Sequence, residues 1–554
     1  MRSVIKALHL IIFSLSQGAP LQNLWYPEAP DTLTPWHLGN LRNRLTDDMA
    51  YYVVIPRTAE DVVAAVQFAA QHNLGISVFS TGHEFNDRNG GPGNNTLLIR
   101  TTCLNEVTFD LREDNEFGAV DGVVRMGAGL TWGTSKFGQA GMHELAEEQE
   151  RVVVSGHAGN VGVVGWSLGG GHGQLVGTYG MGVDQVVEVD LVGADGSIVV
   201  ARQEGTRVTS ADGSRTEESE DAALFWALRG GGAGPWGVVT ALTVRVHRAR
   251  GGCRQGCYTQ SSMGWEGNFS TDDGQMAEEV LHAYLKWVAG ASRYWSSYLS
   301  LFMGEGGKYM VYITDALYVG TEEDMGDYWG LEEAMGEVHA ESRVFSTRQT
   351  YNTYLEKVND QAPESVNTAN YGADPMVSVL LNASSAVDPS YARTVVDNWT
   401  PRCYRSGPGP ACVAYYLFMH TVATGEEDDD YTGSAVSLPF RRAKVHVSSL
   451  AYGRLNEEGG VDDFPLEERV AFAHEVVGPA MYRYSGASYY SESEYSLQGD
   501  EWKERFWGLD IYSQLLEVKK TWDPTGVFSC RHCVGDGEIR GEVGLGTQPS
   551  WRRN

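Results

Sequence analysis

Two stretches carry residue types suited to gripping a large ligand and reacting with it. Ser80-Thr81-Gly82-His83-Glu84-Phe85-Asn86 sets one imidazole on a turn of small residues. Gly162-Val163-Val164-Gly165-Trp166-Ser167-Leu168-Gly169-Gly170-Gly171-His172-Gly173 lets a ligand approach the backbone closely along its length. Exposed amides in such a run chelate a diphosphate, and a loop imidazole is a nucleophile, a base or a metal ligand. Together they point to a phosphate-bearing cofactor beside a candidate attachment point, and so to a redox enzyme. His172, inside the glycine run, reads as a packing or supporting residue. A metal site from His83, His157 and His172 has the right ligand type. No carboxylate or cysteine stands beside them at ligand spacing, so no metal is expected.

Gly159-Asn160-Val161-Gly162-Val163-Val164-Gly165 imitates a dinucleotide fingerprint, with Asp184 near the offset of a ribose-binding acid. Context argues against it. A fingerprint turn opens a helix whose N-terminus holds the pyrophosphate. Gly169-Gly170-Gly171 would fall inside that helix, where each glycine costs about 1 kcal/mol. The run therefore predicts an extended loop.

The histidine turn needs a strand to deliver it, and Ile76 to Phe79 is one. Ahead of it, Tyr52-Val53-Val54-Ile55 reads as a strand and Thr58-Ala59-Glu60-Asp61 opens an amphipathic helix carrying Val62, Val63, Val66, Phe68 and Ala69. Leu97-Leu98-Ile99 and Val123 to Met126 are further strands. Val183 to Val192 alternates, and Asp195-Gly196 turns it into Ile198-Val199-Val200. Gly230-Gly231-Gly232 leads to a strand from Val238 to Val246. The middle mixes helices (Met276 to Val288, Leu466 to Val477) with strands (Tyr309 to Ile313, Val413 to Phe418, Val445 to Tyr452), an α+β pattern. Aromatic residues there, Tyr309, Tyr312, Tyr415, Tyr416 and Phe418, suit sugar stacking and ordinary strand packing alike. A last helix, Ile511 to Thr521, ends at Asp523-Pro524.

Bulk properties bound the rest. A chain of 554 residues needs more than one subdomain. A net charge of −30 without a dense Lys/Arg cluster excludes a nucleic-acid partner, and the acid run Glu426 to Asp430 reads as a solvated loop. No interior run is apolar enough to span a bilayer. Residues 1–19, with Arg2 and Lys6 before a short apolar block, read as a signal peptide. Sequons at Asn94, Asn268, Asn382 and Asn398 fit a secreted glycoprotein. Of seven cysteines, Cys253/Cys257 and Cys403/Cys412 are spaced for small disulfide loops, and Cys530-Arg531-His532-Cys533 for a local disulfide or free thiols.

In order, the turn Ser80 to Phe85, the run Gly162 to Gly173, Tyr179-Gly180 with Asp184, Leu224 to Gly232 with Gly237-Val238-Val239-Thr240, and the tail Tyr489 to Glu492 through Asp523-Pro524 resemble the FAD-linked oxidases of the vanillyl-alcohol-oxidase fold. The pattern is nearest the berberine-bridge-enzyme-like group and its fungal isoamyl-alcohol-oxidase-like branch. The resemblance runs from about Tyr51 to Val534 and implies an α+β fold. A PCMH-type FAD-binding domain (45–250) is completed by a C-terminal segment (481–540), and the two enclose an antiparallel-sheet substrate domain (251–480).

The resemblance implies FAD attached covalently through His83. It places the cofactor on Ser80, Thr81, Gly82, Asn86, Gly162, Gly165, Gly169, Gly170, Gly171, His172, Tyr179, Gly180, Asp184, Val238, Val239 and Asp510. Tyr489 matches the tyrosine that receives the hydroxyl proton, while hydride passes to flavin N5. A phenol's ordinary pKa is about 10, so the flavin or a nearby cation must lower it. Ala158 stands where bicovalent members carry cysteine, which implies a single link, and Ser491 replaces an asparagine. The implied activity is oxidation of an alcohol or sugar hydroxyl by a secreted monomer, with O2 as acceptor and hydrogen peroxide as product. A dehydrogenase with another acceptor and a non-catalytic flavin- or ligand-binding protein stay open.

Overall fold

The computed structural model describes residues 24–25, 52–86, 88–89, 95–135, 138–303, 307–320, 329–360, 375–399, 412–420, 433–455, 461–462 and 466–539. The candidate leader, Asn94, Cys403 and the acid run lie outside them.

The first unit is a small, mainly parallel sheet. Its strands are β1 (Leu24–Trp25), β2 (Tyr52–Val54), β3 (Gly75–Phe79) and β4 (Thr96–Arg100), in the order β1-β2-β4-β3. β4 runs parallel to both β2 and β3. Helix α1 (Ala59–Gln71) connects β2 to β3. Thr58 and Asp61 cap it reciprocally: the Asp61 N–H donates to Thr58 Oγ1, and Asp61 accepts from the Thr58 N–H. Such a box is worth about 1 kcal/mol. The apolar stripe read from the sequence is its buried face.

A seven-stranded antiparallel sheet follows: β5 (Val107–Asp110), β6 (Val123–Gly127), β7 (Val186–Val192), β8 (Ile198–Arg202), β9 (Gly205–Thr209), β10 (Thr216–Ser219) and β11 (Val238–Arg245), in the order β10-β9-β8-β7-β11-β6-β5. The strand expected from Val183 starts at Val186, because Gly182–Gln185 forms one helical turn. Between β6 and β7 lies the short helix α2 (Val163–Leu168).

The third sheet is antiparallel and contains β12 (Tyr258–Asn268), β13 (Trp295–Met303), β14 (Lys308–Val319), β15 (Arg343–Tyr351), β16 (Met376–Leu381), β17 (Cys412–His420) and β18 (Val445–Leu455), with β19 (Val461–Asp462) beside β18. Helices α3 (Gln275–Gly290) and α4 (Pro389–Trp399) cover one face. Alternation sorts the side chains. Leu299, Leu301, Val445 and Val447 pack in the core beneath the helices, whereas Tyr298, Ser300 and Ser448 line a cavity on the other face. Tyr309 is buried in that core and bonds Asp272, so it serves packing.

The C-terminal segment returns to the first half. Trp502, Phe506 and Trp507, together with Leu515 of helix α5 (Leu509–Trp522), share one core with α1 and β11. Ile76 of β3 bridges to Phe528, and the Ile76 N–H donates to the Val527 carbonyl. Buried Lys519 donates to the Pro235 and Phe528 carbonyls and to Asp523, at 2.6–2.7 Å. This latch fixes the segment that carries Tyr489. Cys253–Cys257 and Cys530–Cys533 are disulfides.

Candidate active site

A cavity of about 580 Å³ opens between the two halves and the C-terminal segment, a size typical of ligand pockets. Ser80, Thr81, Gly82 and His83 line it where the chain leaves the carboxyl end of β3. The turn is fixed from several sides. Ser80 Oγ donates to the Ala128 carbonyl at 2.9 Å. Glu84 accepts from the N–H groups of Asn86 and Arg88 and pairs with the Arg88 guanidinium at 2.7 Å. Arg88 lies over the Tyr490 ring. Gly82 takes φ 86°, a conformation open to glycine, at the residue before His83.

The glycine run is not the extended loop that its composition suggested. Val163, Val164 and Leu168 are drawn into the core and wind α2, which stops at Gly169. The triple glycine thus follows the helix, and only Gly165 bears the cost of a glycine inside it. The Gly162 N–H donates to Thr81 Oγ1 at 3.0 Å, joining α2 to the histidine turn. A Cβ on Gly162 would stand 2.9 Å from Ser80 Oγ, so the close approach needs glycine. A Cβ on Gly165 would meet nothing within 4 Å: the residue faces open cavity. That free volume beside α2 and the histidine turn fits a bulky cofactor.

Gly169, Gly170 and Gly171 serve packing instead. They do not line the cavity. A Cβ on Gly170 would stand 2.6 Å from the Phe440 ring, one on Gly171 2.7 Å from Gly182, and one on Gly169 against Ser491 and Tyr489. The missing side chains let the Tyr489 segment close down on α2.

Tyr489 lines the cavity with its ring 4.7 Å from Phe440, 4.9 Å from His172 and 5.6 Å from His446. Burial pushes its phenol up and Glu492 adds to this, while Ser491 and the Gly171 backbone pull the other way. The lowering expected from a neighbouring cation is therefore not supplied by these groups. His172 and Glu492 also line the cavity, with His172 Nε2 3.4 Å from Glu492 Oε1. Behind them His446, fully buried, sits with Nδ1 3.9 Å from Glu492 Oε2, and burial pushes its pKa down to about 3. Among the described residues, His172 groups with His446 and Glu492, not with His83 and His157, at ligand distance.

A second polar cluster meets the cavity at His157. Its ring lies 4.7 Å from that of Tyr298, tilted by 45°, and Nδ1 lies 3.3 Å from Asp315 of β14. Asp315 is held by buried Lys357 at 2.9 Å. The ladder of β14 slips beside Asp315, which takes φ 66°. The resulting bulge turns its carboxylate to Lys357 and His157.

Several expected cofactor residues lie elsewhere. Asp184 pairs with Arg441 at 2.8 Å and accepts from the Met181 N–H, so it closes a turn rather than facing the cavity. Tyr179 stacks on His247 and donates to the Arg248 carbonyl, and Gly180 turns the chain beside it at φ 100°. Asn86 is buried and its amide pairs with Ser493 at 2.7 Å. Val238 is core, while its neighbour Val239 lines the cavity. Asp510 is exposed in the first turn of α5, away from the cavity. Sequence reasoning missed His446, Glu492, Asp315 and Lys357. Two of these left a signal: His446, a polar residue alternating with Val445 and Val447, and Glu492, which ends the tail motif Tyr489 to Glu492.

Comparison with known proteins agrees with this architecture. The FAD binding domain family matches residues 50–202, and the berberine and berberine-like family matches residues 474–535. FAD-linked oxidoreductase ffsJ of Aspergillus flavipes is 27% identical over 533 residues, spanning 91% of this chain and 78% of its own. The crystal structure of VAO-type flavoprotein MtVAO615 from Myceliophthora thermophila C1 superposes with TM-score 0.67 at 24% identity, covering 88% of this chain and 80% of that one. Acremonium strictum glucooligosaccharide oxidase superposes with TM-score 0.67 at 19% identity, covering 92% and 96%. At these identities the two structures speak for the fold. No described helix is long and apolar enough to cross a membrane. The chain therefore carries an FAD-binding domain and a berberine-like C-terminal segment, on the fold of the vanillyl-alcohol-oxidase-type flavoproteins.

Proposed function

We propose that the cavity holds one FAD tethered through His83 and that the protein oxidises an alcohol or sugar hydroxyl, with O2 as electron acceptor and hydrogen peroxide as product. The observation that carries this reading is the meeting of three walls in one cavity. His83 comes from the nucleotide-binding half, Tyr489 from the C-terminal segment, and Tyr298, Ser300, Thr314 and Ser448 from the substrate sheet.

Bound there, FAD supplies an acceptor for a hydride and an 8α-carbon for a bond to imidazole nitrogen. His83 offers that nitrogen from a turn braced by Glu84 and Arg88. Ala158 lines the same cavity without a thiol, which supports a single tether. Tyr489 offers its hydroxyl to the substrate oxygen, and Ser491 takes the place of a longer amide beside it. Serine and threonine hydroxyls on the sheet supply donors and acceptors suited to polyhydroxylated substrates. The superposed glucooligosaccharide oxidase favours this class. A place in the isoamyl-alcohol-oxidase-like branch is part of the same reading, and the two disulfides support an oxidising, extracellular setting. A monomer is part of the same reading.

The test is anaerobic mixing with a panel of alcohols and oligosaccharides, followed by air. Flavin bleaching by a hydroxyl compound, then recovery with peroxide release, is expected. No bleaching by any of them contradicts hydroxyl oxidation. Bleaching without recovery in air assigns a different acceptor.

A further inference from the structure

His446 stands on the cavity side of β18, opposite the flanking core residues Val445 and Val447, and is fully buried. Neither ring nitrogen has a hydrogen-bond partner among the described residues. A buried polar group left unsatisfied costs about 1–3 kcal/mol, so the position is expensive unless something binds there. His172 and Glu492 face the same point. One donor atom from each of the three lies within 4.8 Å of the others. The separations of 3.4 Å and 3.9 Å between imidazole nitrogen and carboxylate oxygen are long for charge-assisted hydrogen bonds. Ligand atoms held tetrahedrally at about 2.0–2.2 Å from a metal sit roughly 3.3–3.6 Å apart; the His172–Glu492 pair at 3.4 Å matches this, and the remaining donors, within 4.8 Å, reach it by small side-chain adjustments.

We propose that His172, His446 and Glu492 form a divalent-cation site of the zinc type in the cavity wall. Two imidazoles and one carboxylate favour zinc over magnesium or calcium, which prefer all-oxygen shells. Three protein ligands leave a position open, and His172 and Glu492 turn it toward the substrate space. The site lies beside Tyr489, whose ring touches both imidazoles. On the reading of hydroxyl oxidation above, the cation would take the substrate oxygen as its fourth ligand and acidify that hydroxyl, whose proton would leave to solvent water in the cavity. The cation changes neither the electron count nor the hydride acceptor.

The test is metal binding by the flavin-loaded protein. Equilibrated with micromolar zinc, desalted and analysed by plasma mass spectrometry, the wild type is expected to retain about one zinc per chain. His446→Ala and Glu492→Gln should fall to background while keeping their flavin and their unfolding temperature. Zinc-edge X-ray absorption of the wild type should show nitrogen and oxygen neighbours with imidazole scattering. It does not depend on whether the variants fold. Wild-type retention no greater than that of a folded His446→Ala protein overturns the proposal, as does a sulfur shell, which would point to the cysteines. Zinc bound by these ligands in a protein that oxidises no hydroxyl compound would uphold the site and remove the proposed substrate class.

Discussion

Lys357 Nζ lies 2.9 Å from Asp315, both side chains sealed from solvent, and this pair presents the Asp315 carboxylate to His157 on the cavity wall. The pair therefore acts at two levels, as an interior strut and as the support of a cavity residue.

Removing one partner strands the other in a low-dielectric interior. Lys357→Met should cost about 3–5 kcal/mol in denaturant unfolding, and Lys357→Met with Asp315→Leu should recover most of that loss. The exposed pair Arg112–Asp110 sets the contrast. Breaking it should leave the unfolding transition nearly where it was, because solvent screens the pair.

His143 is buried, with Nε2 2.7 Å from Ser155 Oγ, and burial pushes its pKa from 6.5 down to about 4. The unfolded chain takes up this proton first. Stability is therefore complete above about pH 6.5 and declines as the pH falls toward 4, by up to about 3 kcal/mol. Unfolding free energies measured across this range should show the decline in the wild type and a shallower one in His143→Gln.

Two neighbouring glycines should respond in opposite ways. Gly165→Ala adds a methyl group within α2 where no atom stands within 4 Å, and should raise the stability of flavin-free protein by about 0.5–1 kcal/mol. The same methyl group intrudes on the cavity and should lower flavin occupancy. Gly170→Ala meets φ 133° and the Phe440 ring, and should destabilise by about 1–3 kcal/mol. Thermal unfolding and flavin content separate the two cases.

Tyr489→Phe keeps the ring contacts with Phe440 and His172 and deletes only the hydroxyl. Turnover of a hydroxyl substrate should fall by about 10²–10⁴-fold, with flavin content unchanged. Steady-state kinetics on flavin-normalised protein checks this. A loss of flavin instead would give Tyr489 a structural role.

Local signals in the sequence read well where local chemistry decides. The Thr58/Asp61 cap, the α1 stripe, β3 and the His83 turn all follow from short-range pattern. The glycine run misled because its composition was weighed as a whole. The decisive fact is position: five apolar or small residues around Gly165 wind a helix, and the three glycines that would break it come after its end. Asp184 has the spacing of a ribose-binding acid, yet its partner Arg441 lies 257 residues away. His172, His446 and Glu492 come from a helix-following loop, a sheet strand and the C-terminal segment. Asp315 reaches His157 through a strand bulge. No spacing rule joins residues that only the packing of three units brings together.

The proposed cofactor hangs on a single bond, at His83. Acid precipitation followed by peptide mass spectrometry tests it most directly. The expected result is yellow precipitated polypeptide, FAD mass on the peptide containing His83 and on no other, and flavin released into the supernatant by His83→Ala. Flavin in the wild-type supernatant, or FAD mass on a different peptide, would contradict it.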